Sequence, residues 1–133
     1  IYCEMSEIRL YRHILPVPSI DEAAAFYSSV FQTAGERVSP GRHYFKAGGV
    51  ILACYDPEAD GDGDQGGWRF HPNQYLYFAA ADLEAARQRV TRAGGRDVGE
   101  ISAAPWGETL FYARDPFGTP ICFVDEACLF TGA

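Results

Sequence analysis

Basic residues are scarce: 11 Lys and Arg stand against 18 Asp and Glu, for a net charge of −7. That balance argues against nucleic acid and anionic membrane surfaces as partners, because both call for clustered cations. No apolar run approaches the roughly 20 residues of a membrane span. No basic segment followed by an apolar core is legible at the start, so no secretory signal is expected. The four cysteines (Cys3, Cys54, Cys122, Cys128) form no CxxC pair. Free thiols in a reducing cytoplasm are therefore expected, rather than a disulfide framework. There is no G-x-S-x-G, no phosphate-cradling glycine loop and no dinucleotide fingerprint. Residues 1–4 precede the only methionine, Met5, and carry no weight in the reading.

What remains is ordinary for a globular chain. It has 133 residues, 47% hydrophobic and 22% charged, enough for one domain or two small fused units. The organising stretch is Tyr75–Gly95. Tyr75–Ala80 is an aromatic-rich apolar run of strand type. Asp82 is placed to cap a helix, and Leu83, Ala86, Val90 and Ala93 recur at helical spacing until Gly94-Gly95. The same plan occurs earlier. Residues 8–17 read as a strand, Ser19 and Glu22 form an S-x-x-E capping box, and Ile20 to Gln32 reads as a helix. Superposition sets Arg12 on Tyr75, Leu15 on Phe78, Ile20 on Leu83 and Ala23 on Ala86. The chain thus reads as two copies of one βα-plus-strands unit, with any site expected between them.

Three further strands are expected in the first unit, at Glu36–Ser39, Arg42–Ala47 and Val50–Tyr55, with turns at Pro40-Gly41 and Gly48-Gly49. In the second unit they are expected at Arg96–Ile101, Gly107–Ala113 and Pro120–Val124. Asp115-Pro116-Phe117-Gly118 fits a type I turn. The expected organisation is a first unit at 8–57, an acidic glycine-rich linker at 58–72, a second unit at 73–125 and an extension at 126–133. Asp60, Asp62 and Asp64 alternate in the linker. A calcium loop would need Gly and Glu where Gln65 and His71 stand, so a solvated loop is expected.

The paired βαβββ pattern, the Pro105-Trp106-Gly107 ahead of the penultimate strand and the D-P-F-G turn before the last one together carry a family resemblance. With the stretches RHILPVPSIDEAAAFYSSVF (12–31), YLYFAAADLEAARQRVTRAGG (75–95) and PWGETLFYARDPFGTPICFVD (105–125), the chain resembles the glyoxalase/bleomycin-resistance/extradiol-dioxygenase superfamily, also called vicinal oxygen chelate. The resemblance implies an α+β fold, two βαβββ units forming a cupped mixed sheet, and often a homodimer. It says less of function, because the superfamily spans isomerases, lyases, dioxygenases, thiol transferases and drug-binding proteins.

The resemblance also implies where a divalent metal sits in metal-dependent members. Carried over residue by residue, the positions fall on Arg12, near Leu52 give or take one residue, on Tyr75 and on Cys122. Arginine has a fixed positive charge and no lone pair to offer. Neutral tyrosine is a poor ligand, leucine is none, and one thiol does not make a zinc site. No cofactor is therefore expected. A metal returns only if the first strand is off by one residue, which would put His13 in the cup.

The expected cup is lined by Arg12, Leu52, Cys54, Tyr75, Tyr77 and Cys122, with Trp106 and Glu108 at its mouth. Such a wall suits a planar, partly apolar small molecule with an anionic or carbonyl group for Arg12. An Arg12–Glu108 pair inside the cup is one reading of Glu108, and a surface glutamate is the other. Glu108 and His43 are the candidates for acid–base work. Three functions stay open. One is a small-molecule-binding protein without the metal. Another is a metal-dependent lyase, isomerase or thiol transferase with a displaced site. The third is an interaction module whose cavity is vestigial.

Overall fold

The computed structural model describes residues 8–63 and 69–130. The first unit runs β1 (Arg12–Pro16), α1 (Ile20–Phe31), β2 (Glu36–Ser39), β3 (Arg42–Ala47) and β4 (Val50–Tyr55). The second runs β5 (Leu76–Ala80), α2 (Leu83–Arg92), β6 (Ser102–Ala103), β7 (Thr109–Arg114) and β8 (Pro120–Asp125), followed by a short 3₁₀ turn at Glu126–Cys128. The two sheets share one order, β1-β4-β3-β2 and β5-β8-β7-β6. In each, the first strand pairs in parallel with the fourth and the remaining pairs are antiparallel. This is the α+β, twice-repeated βαβββ architecture expected, with both sheets left open.

Both helices start where their caps stand. Ser19 accepts from the Glu22 amide at 3.3 Å, and Asp82 accepts from the Ala85 amide at 3.0 Å. Such a side-chain oxygen satisfies one of the amides that a helix start leaves without an internal partner. The ends depart slightly from expectation. Helix α1 stops at Phe31 because Gln32 turns left-handed at φ 56°, three residues before Gly35. Gly35 is itself left-handed, and a side chain there would collide with Phe45 and the Tyr44 carbonyl.

The expected strand at 96–101 is largely absent. One isolated bridge joins Arg96 to Arg114, and the ladder resumes only at Ser102–Ala103. Asp97 lies at φ 49°, which breaks an extended run. Arg87 Nε takes the Gly99 carbonyl at 2.8 Å and Arg114 pairs with Asp97, so this edge is held by side chains. The first strand is also shorter than residues 8–17: its ladder begins at Arg12.

The linker corrects the solvated-loop expectation in part. Asp60 has a side chain only 7% exposed. It accepts from Ser39 Oγ at 2.9 Å, from the Gly41 amide at 2.6 Å and from Arg42 at 3.2 Å. Asp62 is bonded by the Tyr55 hydroxyl. The start of the linker therefore folds back over the β2–β3 turn. Asp64 and Gln65 lie outside the described residues.

The helix-facing sides of both sheets share one core. It contains Leu15, Val17, Phe26 and Phe45 from the first unit and Leu83, Val90, Phe111 and Phe123 from the second. Phe31 meets Phe78 across the units in an edge contact with ring centres 5.2 Å apart. A polar latch adds to this junction. Asp115, fully buried at the D-P-F-G turn, accepts from Tyr27 Oη of α1 at 2.8 Å and from the Phe117 and Thr119 amides, both at 2.9 Å. Burial of this carboxyl raises its pKa above the ordinary range, against the lowering pull of those hydrogen bonds. The other face of each sheet points away from this core and is partly exposed, with Leu110, Cys122 and Val124 covered on the second sheet.

Candidate functional site

The strand register decides which side chains reach the open faces. Paired residues on neighbouring strands point to the same side. Arg12 pairs with Ile51, which pairs with Lys46, while Ile14 pairs with Ala53, which pairs with Tyr44. This set forms the open face of the first sheet. His13 pairs with Leu52 and Leu15 with Cys54, on the packed side. Leu52 and Cys54 are 4% and 0% exposed, in the shared core. Cys54 therefore does not reach the open face, and Leu52 reaches only the groove between the units. The one-residue latitude at the fourth-strand position resolves to Ile51 or Ala53, and neither can ligate a metal. His13 lies opposite Arg12, as strand alternation from Arg12 requires.

Arg12 does not meet Glu108. Its guanidinium donates to Tyr44 Oη at 2.6 Å and lies over the rings of Tyr44 and Tyr11, 5.3 and 5.2 Å from their centres. Two aromatic faces thus hold the cation in place on an exposed strand. Glu108 instead accepts from Trp106 Nε1 at 2.7 Å and from the Phe130 amide at 3.3 Å. It ties the Pro-Trp-Gly turn to the C-terminal extension.

The second sheet follows expectation more closely. Tyr77, Cys122 and Tyr112 share one register row, and Tyr75 extends it. The rings of Tyr75, Tyr77 and Tyr112 touch pairwise, with centres 5.9 to 6.4 Å apart. The Tyr77 and Tyr112 hydroxyls are 3.2 Å apart. All three stay partly exposed: 45%, 52% and 37% in sequence order. Cys122 is buried beneath them beside Leu110 and Val124. Burial pushes its thiol up to about 12, and the nearby Glu108 charge adds to the shift. Burial does the same to Cys54, also to about 12. Neither is a thiolate nucleophile at neutral pH.

His43 is committed to structure. It is buried on the packed side of β3, with Nε2 at 2.8 Å from the Ala34 carbonyl and Nδ1 accepting from Arg37 Nε at 3.2 Å. Both ring nitrogens are engaged, so His43 has no free position for proton transfer. Among the described residues no group of three His, Cys, Asp or Glu could hold a metal ion.

Between the units lies a groove of about 880 Å³. It brings together Leu52, Tyr75 and Tyr77 of the expected residues with His13, Phe31 and Arg89. Arg12, Cys54, Trp106, Glu108 and Cys122 lie elsewhere. Sequence reasoning missed Tyr44, Tyr112 and Arg89. Tyr112 was within reach by counting register back from Cys122 across the D-P-F-G turn. Tyr44 and Arg89 carried no comparable signal.

A family model described as Glyoxalase/Bleomycin resistance protein/Dioxygenase superfamily matches residues 9–123. The chain belongs to this superfamily. No curated protein matches it. Solved structures agree on the superfamily fold. A glyoxalase-related enzyme from Fulvimarina pelagi is 18% identical with a TM-score of 0.72, over 90% of this chain and 88% of that one. A glyoxalase/bleomycin resistance protein/dioxygenase family enzyme from Burkholderia phytofirmans PsJN is 15% identical with a TM-score of 0.74, over 89% and 98%. A lactoylglutathione lyase from Agrobacterium tumefaciens is 23% identical with a TM-score of 0.66, over 90% and 94%. At these identities the likeness is one of fold. No helix among the described residues is long and apolar enough to cross a membrane.

Proposed function

We propose that this superfamily member binds a planar, partly apolar small molecule on the open faces of its sheets, without the metal that metal-dependent relatives hold there. The carrying observation is the pair of unlike walls. One presents Arg12 between two tyrosines; the other presents three half-exposed tyrosines in mutual contact. Stacking on such rings adds roughly 0.5–1.5 kcal/mol per contact beyond burial, and the guanidinium selects an anionic or carbonyl group. At the positions where the resemblance puts metal ligands stand Arg12, Ile51 or Ala53, Tyr75 and Cys122. A fixed cation, an aliphatic chain, a neutral phenol and a buried protonated thiol do not fit a divalent ion.

Two copies pair, in this reading, so that the open faces close on the ligand. Exposed Ile14, Tyr75, Tyr77 and Trp106 support that pairing. The free thiols Cys54, Cys122 and Cys128 fit a reducing compartment, the cytoplasm. The alternative, a lyase, isomerase or thiol transferase with a displaced metal, draws on the likeness to the lactoylglutathione lyase, which at 23% identity carries the fold alone.

Native mass spectrometry of the purified protein, before and after incubation with Zn²⁺, Ni²⁺ or Mn²⁺, separates the two. Retention of an organic mass and no stoichiometric ion is expected, in a dimer. One divalent ion per chain would sink the metal-free reading. Arg12→Ala should weaken the retained molecule about tenfold, the size of one charge-assisted hydrogen bond.

A further inference from the structure

The groove between the units shares Lys46, Tyr75 and Tyr77 with the open faces but not Arg12, and most of its charged side chains are cations. Arg89, half-buried on α2, donates Nε to the Val30 carbonyl at 3.0 Å, which fixes its guanidinium at the end of α1. Its remaining N–H groups make no hydrogen bond or ion pair to a described residue. His13 likewise has no hydrogen-bond partner among the described residues. Lys46 lines the same groove where the β3–β4 hairpin turns. Asp82 is the one carboxylate among the lining residues, and it is already bonded as the cap of α2. In a chain of net charge −7, Arg89, His13 and Lys46 gather in one cavity with N–H groups that find no partner among the described residues. Thr33, Gln74, Tyr75 and Tyr77 add neutral polar groups, and most of the remaining lining is apolar, including Phe31, Leu52, Leu76 and Phe78. Strand β5 pairs only with β8, so its other edge faces the groove with backbone N–H donors and carbonyl acceptors alternating along it.

We propose that this inter-unit groove is a second ligand site, for a small mono-anionic amphiphile such as an aryl or medium-chain carboxylate. The acid group is taken by Arg89, with His13 and Lys46 lining the same cavity. The apolar body lies against the phenylalanines and leucines. A volume of about 880 Å³ is within the usual range for small-molecule sites. Charge complementarity selects the anion. The apolar lining selects the body.

Isothermal titration with 2-naphthoate, and with neutral 2-naphthamide of the same body, tests this. One naphthoate per chain is expected, with naphthamide about tenfold weaker for loss of the charge-assisted bonds. Arg89→Gln should weaken naphthoate about tenfold. Because Arg89 also joins the helices, His13→Ala is the companion variant: it removes no hydrogen bond seen in the fold and should cost about threefold, the scale of a neutral hydrogen bond. Arg92→Gln makes the same charge change one turn on, outside the groove, and should leave binding unchanged. Equal binding of naphthamide, or an Arg92→Gln loss equal to that of Arg89→Gln, would overturn the proposal. So would loss in Arg12→Ala with none in Arg89→Gln, which puts the ligand on the open face. Absence of naphthoate binding in a dimer whose second copy covers the groove would overturn it too.

Discussion

The packed faces of the two sheets are alike and their open faces are not. Leu15 and Phe78, Ile20 and Leu83, and Ala23 and Ala86 occupy equivalent places and all serve the shared core. On the open side, Arg12 stands where the repeat puts Tyr75, and Tyr44 and Tyr112 make different hydrogen bonds. A packed face must match its neighbours in volume, so substitution there is costly. An open face is free of that demand, and its chemistry can diverge. In this molecule stability resides where the units agree, and ligand selectivity is proposed where they differ.

The strongest way to break that comparison is at the shared junction. Asp115→Ala leaves the Tyr27 hydroxyl and two buried amides without their acceptor. It should cost roughly 3 kcal/mol, read as a lowered urea midpoint. A change near zero would mean that the latch does not join the units. The same carboxyl makes a pH prediction. Its folded pKa is raised above the ordinary value, chiefly by burial. Its contribution is then fully present below the unfolded pKa of about 3.9 and is lost as pH rises through the folded value. Wild type should therefore lose stability relative to Asp115→Asn as pH rises above the unfolded value of about 3.9. A gain would reverse the sign of the shift.

Cap removal tests how alike the units are. Ser19→Ala and Asp82→Ala should each cost about 1 kcal/mol in thermal or urea unfolding. A difference beyond about twofold would show that one helix depends far more on its cap than the other. The thiols compare a packed face with an open one. Cys54 and Cys122 are both pushed up to about 12 by burial, so both should resist a thiolate-selective reagent at neutral pH until unfolding. Rapid native modification of Cys122 would mean that the tyrosine wall does not seal it. The smallest effects belong to the open faces themselves. Tyr44→Phe and Tyr77→Phe should each change stability by less than about 0.5 kcal/mol, as exposed substitutions do. A larger loss would show these tyrosines to be structural.

Much of the fold was legible because its signals are local. Ser19 and Asp82 announce helix starts through one side-chain bond each, and the D-P-F-G turn carries its own geometry. The strand expected at 96–101 was not legible: Asp97 turns left-handed, and the edge is held by Arg87 and Arg114 from elsewhere in the chain. The site was half legible. Alternation along β5 and β8 placed Tyr75, Tyr77 and Cys122 on one face, but on β4 the same logic, started one residue off, put Cys54 on the open face when it packs in the core, while Leu52 reaches the groove between the units. Alternation fixes which residues of a strand go together, while the offset between strands is a tertiary quantity.

Sequence alone determined the repeated units, the helix caps, the acidic balance and the family, because each is written in neighbouring residues or in their order. Tertiary structure alone decided that Arg12 is held by Tyr44 rather than Glu108, and that His43 is spent on the backbone. It also decided that His13 and Arg89 face one groove. Those pairings depend on how strands register and how two units pack. Such contacts are chosen by the volume and polarity of side chains far apart in the chain, and nothing local to any of these residues encodes them.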